Sequence, residues 1–189
     1  MPRSARRRPA DAAVSRSGRQ VLAETLDAVD ARILDLIQHD ASLSVAEIAE
    51  RVGLSSSPCW RRIKRLEDAG VIQRRVTLLD GDRLGLSFEA YLEVKLTTPN
   101  KDNLDAFERA IAGWPEVAHG AIVTGGMDYV LRVVTVDIHA FDSFLREKLL
   151  SLGFVSDVES RIVIRSVKST TAVPLGLVSP HLSATSEAA

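Results

Sequence analysis

The spacing of apolar residues changes character near residue 86, and nothing else in the sequence constrains the fold as much. From Leu26 to Ala69 apolar residues recur three and four positions apart, the mark of amphipathic helices. From Ser87 they alternate. Phe88, Ala90, Leu92, Val94 and Leu96 are separated by Glu89, Tyr91, Glu93 and Lys95, which describes a strand with one apolar face. The turn signal Asp80-Gly81-Asp82 lies between the two patterns. The chain therefore reads as α+β, a helical module followed by a mixed one.

In the first module, Leu26, Val29, Ile33, Leu36 and Ile37 outline one helix. Ser44, with Glu47 three residues on, is a capping-box pattern for a second helix carrying Val45, Ile48, Ala49 and Val52. Gly53 ends it, and Ser55 is placed to cap a third helix with Pro58 in its first turn. That helix runs to about Ala69, where Gly70 supplies a stop, and Val71 to Leu79 reads as extended. A short Gly53-Leu54-Ser55 link between the second and third helices is the pattern of a helix-turn-helix.

At about 100° per residue, the third helix has two distinct sides. Cys59, Ile63 and Leu66 fall on one, which identifies Cys59 as a small core residue. Ser57, Trp60, Arg61 and Lys64 fall on another, with Ser56 at its edge and Arg62 and Arg65 on its flanks. Such a stripe suits the major groove. Short hydroxyls approach closely, arginine pairs with guanine, and lysine reaches a base edge or a phosphate. Ser55, Ser56 and Ser57 sit where free helix N–H groups favour phosphate, and Arg74 and Arg75 suit flanking backbone. The bland alternatives are a solvated basic face and a Trp60 packed on its own scaffold. Clustering favours the DNA reading: six basic residues lie in 61–75, and Asp27, Asp30 and Asp35 are expected away from the DNA face.

Charge divides unevenly along the chain. Residues 1–25 carry +4, residues 26–79 carry 0 and residues 80–189 carry −5, giving the net −1. The leader, with Arg6-Arg7-Arg8 and no apolar h-region after it, reads as a disordered basic arm rather than an export signal. No stretch approaches the roughly 20 apolar residues of a membrane helix.

The second module reads as strand from Ser87, helix through Leu104, Phe107 and Ile111, strand Val117 to Thr124, and strand Tyr129 to Val136. A helix capped by Asp137 and a long strand from Val155 to Val167 complete it. The β-α-β-β-α-β order is that of a ferredoxin-like unit. Order is expected to fade from Val173. The Thr124-Gly125-Gly126-Met127-Asp128 turn lets a ligand approach the backbone and sets one carboxylate beside it. An ordinary hairpin turn fits the same residues. Enzyme signatures are absent: four histidines are scattered, and neither HExxH nor GxSxG occurs. A single cysteine excludes an intrachain disulfide and a cysteine-rich zinc site, and suits a reducing, cytoplasmic setting. No metal or cofactor is expected.

The segment LDAVDARILDLIQHDASLSVAEIAERVGLSSSPCWRRIKRLEDAGVI resembles the DNA-binding half of the leucine-responsive and asparagine-responsive (Lrp/AsnC) transcription regulators. PEV at 115–117, TGGMDY at 124–129 and VKSTTAVPL at 167–175 resemble that family's ligand-sensing half. The resemblance implies a winged helix-turn-helix over 26–74, a linker over 75–86 and an αβ-sandwich over 87–175, between a leader at 1–25 and a disordered tail at 176–189. It implies homodimers paired through their sheets, assembling into tetramers, octamers or larger rings on a pseudo-palindromic operator. It implies a small amino-acid-like effector bound between dimers. Carried over, the pocket involves Ile122, Gly125, Asp128, Ile138, Arg161, Ile162 and Val163, with Thr124 and Gly126 in the same turn. Arg161 is charged where the family is often uncharged, which favours a ligand with a second carboxylate or another acceptor. Two rival functions follow from the same residues: an architectural DNA-wrapping protein, and an amino-acid-binding enzyme-regulatory subunit.

Overall fold

A computed structural model describes residues 26–178, so the basic leader and the tail beyond residue 178 lie outside the described residues. The described chain forms two compact units, 26–77 with 170–178, and 78–169.

The first unit holds α1 (Ala28–His39), α2 (Val45–Val52) and α3 (Ser56–Asp68). Each start has a stated cause. Asp27 caps α1 and exchanges hydrogen bonds with Asp30, whose N–H reaches the Asp27 carboxylate at 2.8 Å. Ser44 and Glu47 form the expected capping box on α2. Ser55 stands at the N-cap of α3 but makes no side-chain cap bond. Helix α3 ends in a Schellman arrangement, with Val71 N–H on Leu66 carbonyl at 3.0 Å and Gly70 N–H on Glu67 carbonyl at 2.9 Å. That arrangement needs Gly70 at φ 73°, a conformation only glycine adopts without strain. Ile33, Ile37, Ile48, Val52, Cys59, Ile63 and Leu66 pack as one core between the three helices.

The core is finished from far along the chain. Val173 N–H donates to Gln38 Oε1 at 2.9 Å and its carbonyl accepts from Gln38 Nε2 at 3.3 Å. Leu175, in a 3-10 turn over Leu175–Leu177, packs against the helical core. The segment from Thr170 therefore packs with the helix-turn-helix unit, although the sandwich was expected to extend to residue 175. The same turn includes Gly176 and Leu177, with Val178 at its C-cap.

The second unit contains β1 (Phe88–Leu96), α4 (Lys101–Ala112), β2 (Val117–Ile122), β3 (Tyr129–Thr135), α5 (Ile138–Phe144) and β4 (Val155–Ile162). A π turn at Leu145–Leu149 extends α5. The antiparallel sheet has the order β2-β3-β1-β4. Alternation sorts β1 as expected: Ala90, Leu92, Val94 and Leu96 are buried with Tyr129, Leu131, Val133, Phe107, Phe141, Phe144 and Leu149. The opposite face is charged. Arg132 grips Glu89 with two hydrogen bonds of 2.9 and 2.8 Å, which holds the Glu89 carboxyl below the usual carboxylate range.

Two extended segments fall well short of expectation, while β2 and β3 end within two residues of theirs. Strand β4 stops at Ile162, because its only partner is β1, and the last contact is Val163 N–H on Glu89 carbonyl at 2.9 Å. Beyond it Ile164 is 100% exposed. Val71 to Leu79 forms no strand, since no described residue offers it a ladder.

Candidate nucleic-acid interface and effector site

Helix α3 buries Cys59, Ile63 and Leu66 and presents the opposite side to solvent. Ser55, Ser56, Ser57, Arg61 and Lys64 are exposed, and Trp60 is 54% exposed. Trp60 is therefore not packed into the scaffold. Arg74 and Arg75 are also exposed, past the helix end. Lys64 lies 2.9 Å from Asp68 one turn on, a pairing that raises its pKa, and Arg75 lies 3.7 Å from Glu67. Ion pairs on α3 involve Arg62, Lys64 and Arg65 among the described residues, which leaves Arg61 uncommitted.

Arg62 and Arg65 are placed differently from the rest of the stripe. Arg62 NH1 reaches Asp27 at 2.6 Å and Asp30 at 2.9 Å. Arg65 NH2 pairs with the other oxygen of Asp30. Asp30 is fully buried. Burial opposes ionisation of Asp27, but the Asp30 N–H and the Arg62 guanidinium outweigh it and hold that carboxyl below its ordinary range. Asp27 and Asp30, expected away from the DNA face, lie against the flank of α3 and grip two of its arginines. The signal was present in the sequence as two acids three apart on α1 and two arginines three apart on α3.

At the β2–β3 turn, Gly125 adopts φ 130°, and Thr124, Gly125 and Gly126 are exposed. Asp128 has structural work of its own. Its Oδ2 accepts from Leu96 N–H at 2.8 Å and its N–H donates to Val94 carbonyl at 3.0 Å, which closes the end of β1. Ile122 is 65% exposed and Ile138, the first residue of α5, is 52% exposed. Arg161 lies on the charged sheet face, 3.2 Å from Glu93 and 3.0 Å from Glu159. Ile162, on the other side of β4, is 51% exposed.

Topology separates these residues into two groups. Ile122 pairs with Tyr129, level with Val94 at one end of the sheet. Ile162 pairs with Ala90 near the other end, on the opposite edge strand. Three strand spacings and four residues of rise separate them by about 20 Å. A single chain therefore does not bring the turn residues and the β4 residues into one pocket. Among the described residues no cluster of His, Cys, Asp or Glu is arranged to hold a metal, and no helix is long and apolar enough to cross a membrane.

Comparison with known proteins agrees with this two-part arrangement. A winged helix-turn-helix DNA-binding family model matches residues 26–73, and the Lrp/AsnC ligand binding domain model matches residues 89–173. The glutamate uptake regulatory protein of Zymomonas mobilis is 39% identical over 150 residues, covering 79% of this chain and 91% of that protein. The DNA-binding transcriptional activator DecR of Escherichia coli strain K12 is 35% identical over 79% of this chain and 99% of its own length. A transcriptional regulator of Neisseria meningitidis, solved in complex with L-Met, superposes with a TM-score of 0.79 at 38% identity, covering 82% of this chain and 99% of that one. Each of these relatives is named as a regulator. With both halves matched in order and relatives covered almost end to end, this chain belongs to the Lrp/AsnC family of DNA-binding transcriptional regulators.

Proposed function

We propose that this protein regulates transcription in the cytoplasm by reading a pseudo-palindromic operator with α3, under control of a small amino-acid-like effector. The observation that carries the DNA half is the uncovered stripe of α3. A tryptophan 54% exposed among serines and an uncommitted arginine sets a large aromatic surface outside the helical core. Ser55, Ser56 and Ser57 approach the phosphates at the helix start, and Trp60, Arg61 and Lys64 meet base edges. Arg74 and Arg75 hold the flanking backbone. One such helix reads few base pairs, so two copies on two half-sites supply specificity.

The effector half rests on the diagonal separation of its residues. Ile122, Thr124, Gly125, Gly126 and Asp128 of one chain meet Ile138, Arg161, Ile162 and Val163 only when another chain supplies them. The site is thus formed between subunits, and effector binding shifts assembly or DNA affinity through unequal affinity for two states. Dimers pair through their sheets and assemble further into tetramers, octamers or larger rings. Relatives named for glutamate uptake and a structure solved with L-Met support an amino-acid effector.

Fluorescence anisotropy with operator and random duplexes tests the DNA half. Arg61→Ala weakens operator binding by about tenfold or more, the loss of one good base contact, with an unchanged melting temperature. Equal affinity of the variant for operator places recognition elsewhere. A lack of discrimination between operator and random DNA in the parent protein favours the DNA-wrapping reading. A thermal-shift screen of the amino acids tests the other half, because a ligand of the native state raises the melting temperature. Asp128→Asn keeps an acceptor for Leu96 N–H, and so keeps the fold while losing the shift. A full shift in that variant removes the Asp128 charge from the site.

A further inference from the structure

Asp30 is the one buried charged side chain among the described residues. It lies in the first turn of α1, where its own N–H is held by Asp27 and its Oδ2 accepts from Asp27 N–H at 3.3 Å. The reciprocal bonds lock both carboxylates in one orientation. Each Asp30 oxygen then receives a guanidinium from α3: Arg62 on Oδ1 and Arg65 on Oδ2. The two arginines are three residues apart, one helical turn along the flank of the outward stripe.

An apolar seam of Ile33, Cys59 and Ile63 holds α1 to α3 by contacts that carry no directionality of their own. Ion pairs buried at one end are weak evidence for stability, and their best-attested use is to specify register. Two guanidinium groups, each giving one nitrogen to a different oxygen of one immobilised carboxylate, accept a narrow range of α3 rotations. The same bonds occupy the two flanking cations of a helix whose cations would otherwise bind any phosphate.

We propose that Asp30 is a positioning residue for DNA recognition, aiming Trp60, Arg61 and Lys64 at base edges while withholding Arg62 and Arg65 from the phosphates. The inference rests on the reading of α3 as the DNA-contacting helix. It assigns Arg62 and Arg65 to positioning rather than to DNA contact, and it adds a determinant on α1, outside the α3 stripe.

The test is the salt dependence of operator and random-duplex binding by the full chain. Each phosphate contact contributes about 0.9 to the slope of log K against log salt. Arg65→Ala leaves Asp30 its Arg62 partner, so the fold is kept. Its slope on operator is expected to equal that of the parent protein, and its operator-to-random ratio to fall severalfold. Asp30→Asn releases Arg65 while Asp27, 2.6 Å away, still holds Arg62, so its slope steepens by about 0.9, one added phosphate contact, and its ratio falls about tenfold, the scale of one lost base contact. A purely structural role weakens both duplexes alike, with ratio and slope unchanged, and overturns the proposal. So does a slope about 0.9 shallower in Arg65→Ala, which makes Arg65 a phosphate contact. If Asp30→Asn does not fold, the slope and ratio of Arg65→Ala decide the matter alone. Failure of the parent protein to bind either duplex, with Arg61→Ala equally silent, defeats the reading of α3 itself.

Discussion

Tyr129 has a phenol whose surroundings change its chemistry. The residue is 1% exposed, its ring lies 4.5 Å from that of Phe107, and its hydroxyl donates to Glu108 Oε1 at 3.2 Å. Burial, reinforced by the Glu108 charge, pushes its pKa up to about 12. An unfolded tyrosine loses its proton near pH 10. The folded state therefore keeps a proton that the unfolded state releases, and this stabilisation is present below about pH 10 and lost as pH rises through about 12. Absorbance titration should show a tyrosine transition near pH 12 that Tyr129→Phe abolishes; the same transition in the variant assigns it elsewhere. This residue was legible in the sequence as the start of a strand and the end of the TGGMDY motif, not as a buried phenol with a carboxylate partner. Its partner Glu108 sits on a helix 21 residues earlier, and no spacing rule connects them.

At the scale of elements, local signals were read well where one residue satisfied one backbone group. Ser44 with Glu47, Gly53 and Gly70 all act at the helix ends they marked. The strand lengths of β4 and 71–79 were not legible, because a strand exists only where a partner ladder exists. Gly120 shows a further limit. It lies in β2 under α4, where a Cβ would stand 3.2 Å from both Ile111 Cδ1 and Leu131 Cδ2. Gly120→Val overpacks this contact and should cost about 1–3 kcal/mol, read as a lower denaturation midpoint with an unchanged slope. An unaltered midpoint means α4 recedes freely from the sheet.

At the scale of the whole molecule, the end of the sensing module leads back to the DNA-binding unit. Residues 170–178 contribute Leu175 to the helical core and satisfy both polar groups of the Gln38 amide. Ending the chain after Ser169 should lower the stability of the helix-turn-helix by about 1–3 kcal/mol, from one part-buried leucine and two hydrogen bonds. Amide hydrogen exchange in α1 measures this, and unchanged protection there shows the segment to be dispensable. Gln38→Ala in the full chain should produce a smaller loss in the same helix.

The sequence by itself determined the helix-turn-helix, the β-α-β-β-α-β order, the buried face of β1 and the outward stripe of α3. These follow from period and capping, which act over a few residues and leave a local record. Tertiary structure alone decided that Arg62 and Arg65 turn to Asp30 and that Asp128 closes the end of β1. It also decided that the residues expected at the effector site stand at opposite corners of one sheet. Each depends on which distant segments fill the space beside a side chain, and pairings 30 to 135 residues apart are set by packing of the whole unit. A charged residue advertises that it needs a partner, but only the fold says whether that partner is another side chain or a ligand.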